Sequence, residues 1–355
     1  MKKALLSALL LAGLVGQVNI ADAQGEVKPC YTASKVQVKA PNMLDSKTIN
    51  AIKSGQYSFG SIKLDMTYSA VKKALGKPKM EMIQQDQFGK MVTLKYNHLT
   101  LSLFSNDRYA KPDTIKVIGI TYDFPKYNRF DIKLLQSKYG KPEDITTGAN
   151  DKDVNYNNYN LKYKKSGKSW LLSSMDLMTK HEPVIDETTM AKNHKKTKIA
   201  HTGEYTITNS DIKNMAKGTF ALKGAKLNMT ATAATKAIGQ ALEDRTIMTP
   251  NGTDVFQEYA FGSVHVRYQS KDCASSPVLK QMIFDYDKRG LTFSKIESLV
   301  GKADQTVDGK VDTTYVGNKE IKVKTRTNTY GHLIAKGEYY KGAWRVTEVQ
   351  YKYIK

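Results

Sequence analysis

Cysteine is scarce in this chain: Cys30 and Cys273 are the only two in 355 residues, too few for a disulfide framework. Its domains must therefore be held by their own hydrophobic cores, and a single bridge between the two cysteines stays open at this point. Beyond the N-terminus there is no apolar run near the roughly 18 residues that a membrane-spanning helix needs. The sequence also lacks H-E-x-x-H, G-x-S-x-G, a P-loop and C-x-x-C, and neither cysteine has a histidine at a recognisable catalytic spacing. Acidic pairs such as Glu81 with Asp86 and Asp151 with Asp153 sit in polar, turn-like stretches and read as turn residues rather than acid–base pairs. The expectation is a protein that is not an enzyme and holds no cofactor and no metal.

Acid is the other deficit. Asp and Glu number 34 against 55 Lys and Arg, a formal net charge of +21, and such an excess attracts polyanions. The chain opens on Lys2 and Lys3, continues through an apolar stretch from Ala4 to Val18, and reaches Ala21-Asp22-Ala23. This order of basic, apolar and small residues is that of a secretory signal, residues 1–23, cut after Ala23. The mature protein is thus expected to be secreted, extracellular and associated with the cell surface by charge. Its partners would be extracellular DNA or RNA, or another polyanion such as teichoic acid, with a host or surface protein as the alternative. At about 150 residues per domain, the remainder suggests two domains.

An internal repeat supports that division. Ile49–Gly76 aligns without a gap on Ile212–Gly239, with identities at Gly55/Gly218, Lys63/Lys226, Leu64/Leu227, Met66/Met229, Thr67/Thr230, Ala70/Ala233, Lys73/Lys236 and Gly76/Gly239 among others. We expect an N-terminal extension at 24–45, a first domain at 46–180, a linker at 181–204 and a second domain at 205–355. The linker has no apolar period. Its histidines, His181, His194 and His201, lack the spacing of metal ligands.

Within a repeat the elements are legible. Thr67 is placed to cap a helix whose apolar Val71, Ala74 and Leu75 share a face, Gly76 ends it and Pro78 stops it resuming. Phe130–Pro142 follows the same grammar. Leu99, Leu101 and Leu103 alternate with Thr100 and Ser102, the mark of a strand with one buried face. The expected fold class is α+β: two homologous domains, each with two short helices packed on one face of an antiparallel sheet, in tandem helix-then-strands modules.

Basic residues recur at the outward positions of these strands. Lys162 and Lys164 alternate with Leu161 and Tyr163, with Lys165 following; His265 and Arg267 alternate with Val264 and Val266. Lys322, Lys324 and Arg326 alternate with Ile321, Val323 and Thr325. Alternate residues lie about 6.7 Å apart, a spacing that suits successive phosphates of an extended strand. Lys341, Arg345 and Lys352 complete the candidate set, interleaved with Tyr339, Tyr340, Trp344, Tyr351 and Tyr353; Tyr156, Tyr159 and Tyr163 lie near the first group. Such rings either stack bases or pack in the core.

Ile49–Lys53, Phe59–Leu64, the capped helix ending at Gly76 and the second helix closing in Tyr139-Gly140-Lys141 resemble the immunodominant staphylococcal antigen B family. That family consists of secreted, surface-associated proteins of about one such domain, so this chain looks like a tandem version. The resemblance implies binding of extracellular nucleic acid without sequence specificity, and transfers no individual binding residue. More coarsely, the modules are similar to the tandem fold of beta-lactamase inhibitor proteins, which implies the protein-binding alternative.

Overall fold

A computed structural model describes residues 31–125, 130–179, 186–197, 205–259, 264–271, 275–285, 290–309, 311–316 and 319–354. The signal segment, both cysteines, His181 and His201 lie outside the described residues. Among those described, the protein is α+β, with seven α-helices and 17 strands in antiparallel sheet. None of the helices among the described residues is long and apolar enough to cross a membrane. The helices are α1 Ser46–Ser54, α2 Tyr68–Leu75, α3 Ile132–Tyr139, α4 Glu187–Thr197, α5 Asn209–Ala216, α6 Ala231–Ile238 and α7 Phe293–Val300. The strands are β1 Met80–Asp86, β2 Gly89–Lys95, β3 Leu99–Ser105, β4 Lys116–Asp123, β5 Asp144–Thr147, β6 Asp151–Asn155, β7 Tyr159–Ser166 and β8 Ser169–Met178. They continue as β9 Glu243–Thr249, β10 Gly252–Tyr259, β11 Val264–Ser270, β12 Val278–Asp285, β13 Gln305–Asp308, β14 Asp312–Val316, β15 Lys319–Tyr330, β16 Leu333–Tyr340 and β17 Ala343–Lys352.

The chain divides into two compact units, and their borders do not follow the chain in one step. The first holds 1–79, 92–106 and 110–185; the second holds 80–91, 107–109 and 186–355. In the first, the strands run β3–β4–β8–β7–β6–β5, all antiparallel. Leu99, Leu101, Leu103, Val117, Ile120, Leu161, Tyr163, Met175 and Leu177 are buried from this sheet, and Ile49, Ile52, Val71, Leu75 and Leu135 from the helices. The alternation over Leu99–Leu103 is as expected, with Thr100 and Ser102 half-buried between the leucines.

In the second unit the order is β1–β9–β10–β11–β12–β17–β16–β15, and β15 then pairs with β14 over its first half and β13 over its second. Met215, Phe220, Leu222, Ile238, Val264, Val266, Leu279, Phe284, Phe293, Ile296, Tyr330, Leu333 and Tyr351 form its core.

The same local devices appear in both units. Thr67 Oγ1 accepts from Ala70 N at 3.2 Å to start α2, and Thr230 Oγ1 from Ala233 N at 3.3 Å to start α6. Backbone bridges join Phe59 to Ile62 and Leu222 to Ala225. Met66 Sδ accepts from Lys63 N, and Met229 Sδ from Lys226 N. Asp65 and Asn228 both take positive φ, at 65° and 67°. Helix α1 meets α3, and α5 meets α7.

The structure departs from the expected linker. Residues 187–197 form α4, started by Asp186, whose Oδ1 accepts from Thr189 N at 2.7 Å, and this helix belongs to the second unit. Its Asn193 is buried, accepting from Arg108 N at 3.1 Å and donating to Gln87 O at 3.1 Å. Arg108 is itself only 2% exposed, and its guanidinium donates to the carbonyls of Leu242 at 2.5 Å and Ala241 at 2.9 Å, just past the end of α6. β1 lies alongside, paired to β9 from Glu81 opposite Met248 to Gln85 opposite Asp244. Pieces that the sequence assigns to the first domain thus complete the second unit. Arg108→Met should strand two buried carbonyls and cost about 3 kcal/mol, read as a lower urea midpoint. A chain starting at Tyr205 should fail to give a cooperative unfolding transition, because β9 would lose β1 on one side and Ala241 and Leu242 would lose Arg108; a sharp transition in that fragment would show that β1 and Arg108 are dispensable.

Candidate polyanion interface

The candidate cations sort by their neighbours across the strands. Lys162 lies on β7 and its Nζ is 2.9 Å from Asp176 Oδ2 on β8. Asp153 stands opposite it on β6, and Asp123 is close enough to act on its charge. Burial pulls the Lys162 ammonium down, but Asp176, then Asp153 and Asp123, outweigh that and hold its pKa above the usual lysine value. Burial raises the carboxyls of Asp123 and Asp153, with Lys95 opposing it first at Asp123 and Lys162 at Asp153. Lys162, Asp123 and Asp153 border an open depression of about 890 Å³ that also takes in Asp151, Lys164, Lys165 and Ser174. Its lining is of mixed sign, not a basic stripe.

The second unit repeats the pattern. His265 Nε2 is 3.2 Å from Asp285 Oδ2, and Arg267 lies 3.3 Å from Asp254 Oδ2 with its guanidinium 5.1 Å from the Phe256 ring. Lys336 Nζ is 2.9 Å or less from a carboxylate as well, at 2.8 Å from Glu348 Oε1. Val264 and Val266 are buried and the alternating His265 and Arg267 half-buried, so the alternation was read correctly. Acids on the neighbouring strands were not read, and they break these sheet faces into ion pairs.

Lys164, Lys165, Lys322, Lys324, Lys341, Arg345 and Lys352 are exposed. Lys164 and Lys165 stand next to the β7–β8 turn. Lys341 is in the β16–β17 turn at φ 48°, and both it and Arg345 lie over the Tyr340 ring, at 5.3 and 5.5 Å. Lys352 is at the end of β17. Five of these seven are therefore at hairpin tips or strand ends, while Lys322 and Lys324 stand within β15.

On β15 the outward assignment needs correcting. Val323 is buried and Lys322 and Lys324 are exposed, as expected. Yet stepping by twos from Lys324 leads through Arg326 to Asn328 and Tyr330, both buried, the latter in the core. Lys324 and Arg326 therefore occupy the helix-bearing face of the sheet, with Arg326 near enough to α7 for Glu297 to act on its charge. Arg326 donates from Nε to Asp308 Oδ1 at 2.6 Å and from Nη2 to Oδ2 at 3.2 Å, and lies 4.4 Å from the centroid of Trp344. The hydrogen bond to Arg326 holds the Asp308 carboxyl below its ordinary range. Lys324 is opposite Tyr339, and Tyr339 opposite Trp344, giving one row across β15, β16 and β17. Gly337 stands opposite Arg326, and its missing side chain leaves room for Phe293 of α7, whose ring is 6.0 Å from Trp344.

A counterpart is present in the first unit. Lys152 Nζ is 4.8 Å from the centroid of Trp170, whose cross-strand neighbour is Lys165. Each unit thus places a tryptophan next to a hairpin turn with a cation on its ring. Lys152 was missed by the strand alternation, although its spacing to Trp170 equals that of Arg326 to Trp344 and could have revealed it. Most candidate tyrosines are core: Tyr156, Tyr159, Tyr163 and Tyr351 are buried, while Tyr339 and Tyr353 are exposed.

No protein-family model matches the chain, and no curated protein is significantly similar to it. Among the described residues no group of His, Cys, Asp and Glu is arranged to hold a metal ion.

Lys162→Gln should leave Asp123, Asp153 and Asp176 facing one another and lower stability by about 1 kcal/mol at neutral pH. Repulsion would raise the folded-state pKa values of Asp123 and Asp153, already held up by burial, further above their unfolded values. The deficit should then shrink as pH falls through the carboxylate range, because the folded state takes up protons first. Urea midpoints of both proteins between pH 7 and pH 4 check this, and a deficit independent of pH would remove the three acids as its cause.

Proposed function

We propose that this chain is a secreted, non-enzymatic binding protein for extracellular nucleic acid or a related polyanion, acting without base-sequence specificity. In this reading it is a tandem duplication of one α+β domain with two helices per repeat, similar to the immunodominant staphylococcal antigen B family. The excess of cations, +21 over the chain, supports the ligand class. The observation that carries it is the exposure of Lys164, Lys165, Lys341, Arg345 and Lys352 near turns and strand ends, and of Lys322 and Lys324 within β15. Lys162, His265, Arg267 and Arg326, each beside a carboxylate, would contribute little. Contact would then run along hairpin tips and β15 rather than across whole sheet faces.

A protein-binding reading is favoured by a different feature. β5 and β13 are fully exposed strands at sheet borders, each carrying an exposed apolar residue, Ile145 or Val307, and such edges accept an added strand.

Salt separates the two. Binding of a labelled 20-nucleotide duplex, followed by anisotropy, should weaken linearly in log–log form as salt rises, whatever the base sequence. Lys322→Gln with Lys324→Gln should reduce that slope by about 1 to 2, whereas Lys162→Gln should leave it unchanged. Failure to bind duplex, single strand or inorganic polyphosphate at low salt would overturn the proposal.

A further inference from the structure

The row on the helix-bearing face of the second unit carries more than charge. Tyr339 is 41% exposed although it points to the same side as the core residues Leu333 and Ala335 of its own strand. It is held rather than loose: its ring centroid is 5.4 Å from that of Trp344 at an interplanar angle of 62°. Trp344 in turn is fixed by Phe293 and by the Arg326 guanidinium. On the other flank stands Lys324, with Lys322 about 6.7 Å further along the same strand. Asp308 is held through both carboxylate oxygens by Arg326, with Lys324 near enough to act on it as well. An ordered, solvent-facing aromatic beside two cations at the pitch of an extended strand is chemistry for an unpaired base with its phosphates. A duplex offers it phosphates only, since its base faces are stacked inside.

We propose that Lys322, Lys324, Tyr339 and Trp344 form a subsite for single-stranded nucleic acid, in which a base stacks on Tyr339 and the flanking phosphates meet the two lysines. This rests on the polyanion reading above and narrows it to unpaired strands. The equivalent position in the first unit has Lys165 where Tyr339 stands, so that site supplies charge without an exposed ring.

The chain's two tryptophans make the test direct. In Trp170→Phe the emission reports Trp344 alone. Titration with oligo-dT should quench it saturably, while inorganic polyphosphate of equal charge competes for the protein without quenching. Tyr339→Ala should weaken oligo-dT binding about tenfold and leave polyphosphate affinity unchanged. Tyr339→Phe, which keeps the ring, should restore it. Single strand should also be preferred over duplex of the same length at matched salt. If both polymers bind but Tyr339→Ala weakens them equally, or duplex binds as tightly as single strand, the subsite is overturned and the polyanion reading stands. If neither binds at low salt, the broader reading has failed and this one with it.

Discussion

A mismatch of lengths governs this architecture. An eight-residue helix such as α7 is about 12 Å long, whereas a twelve-residue strand such as β15 extends for about 40 Å. One helix therefore cannot cover the face it packs on. Where α5 and α7 lie, the sheet presents Tyr330, Leu333, Ala335 and Val349, all buried. Where they end, the same face must meet water, and the pleat delivers Arg326, Lys324, Tyr339 and Trp344 there. Amphipathic side chains suit that border, since a ring or an aliphatic stem continues the core while the polar end is wet. The cation–tryptophan pairs at Trp170 and Trp344 mark the border in each unit.

Much of this was legible in the sequence because it is local. The caps at Thr67 and Thr230, the glycines that end α2 and α6, and the alternation over Leu99–Leu103 all depend on neighbours within a few residues. Charge compensation is not local. Asp176 is fourteen positions from Lys162, Asp254 thirteen from Arg267 and Asp308 eighteen from Arg326, and only the strand register brings each pair together. The parity of β15 was misread for a related reason. Lys322–Arg326 looks like a wet face when taken alone, and only Asn328 and Tyr330, further along the strand, show which side it shares. The segment 187–197 lacks an apolar stripe and so offered no helical period; its start signal, Asp186, was present but unsupported by what followed.

Buried polar groups define the second unit as firmly as its apolar core does. Arg108 and Asn193 are nearly inaccessible, and both spend their hydrogen bonds on backbone groups: carbonyls at Ala241, Leu242 and Gln87, and the amide of Arg108 itself. Such bonds specify position because a displaced partner would leave polar atoms unsatisfied in a dry environment. The repeat seen in the sequence is thus crossed by a short-range polar lock that the alignment of the two halves does not contain.

The pairing of β1 with β9 has a temporal consequence. A polypeptide is made from its N-terminus, so Met80–Asp86 exists long before Glu243–Thr249 has been synthesised. During that interval its backbone donors and acceptors have no β9 to meet, and the second unit cannot close until most of the chain has emerged. Contacts between segments so far apart slow folding and expose an open strand border meanwhile. Maturation of this protein is therefore coupled to completion of its C-terminal half, and a chain interrupted midway carries an unfinished edge.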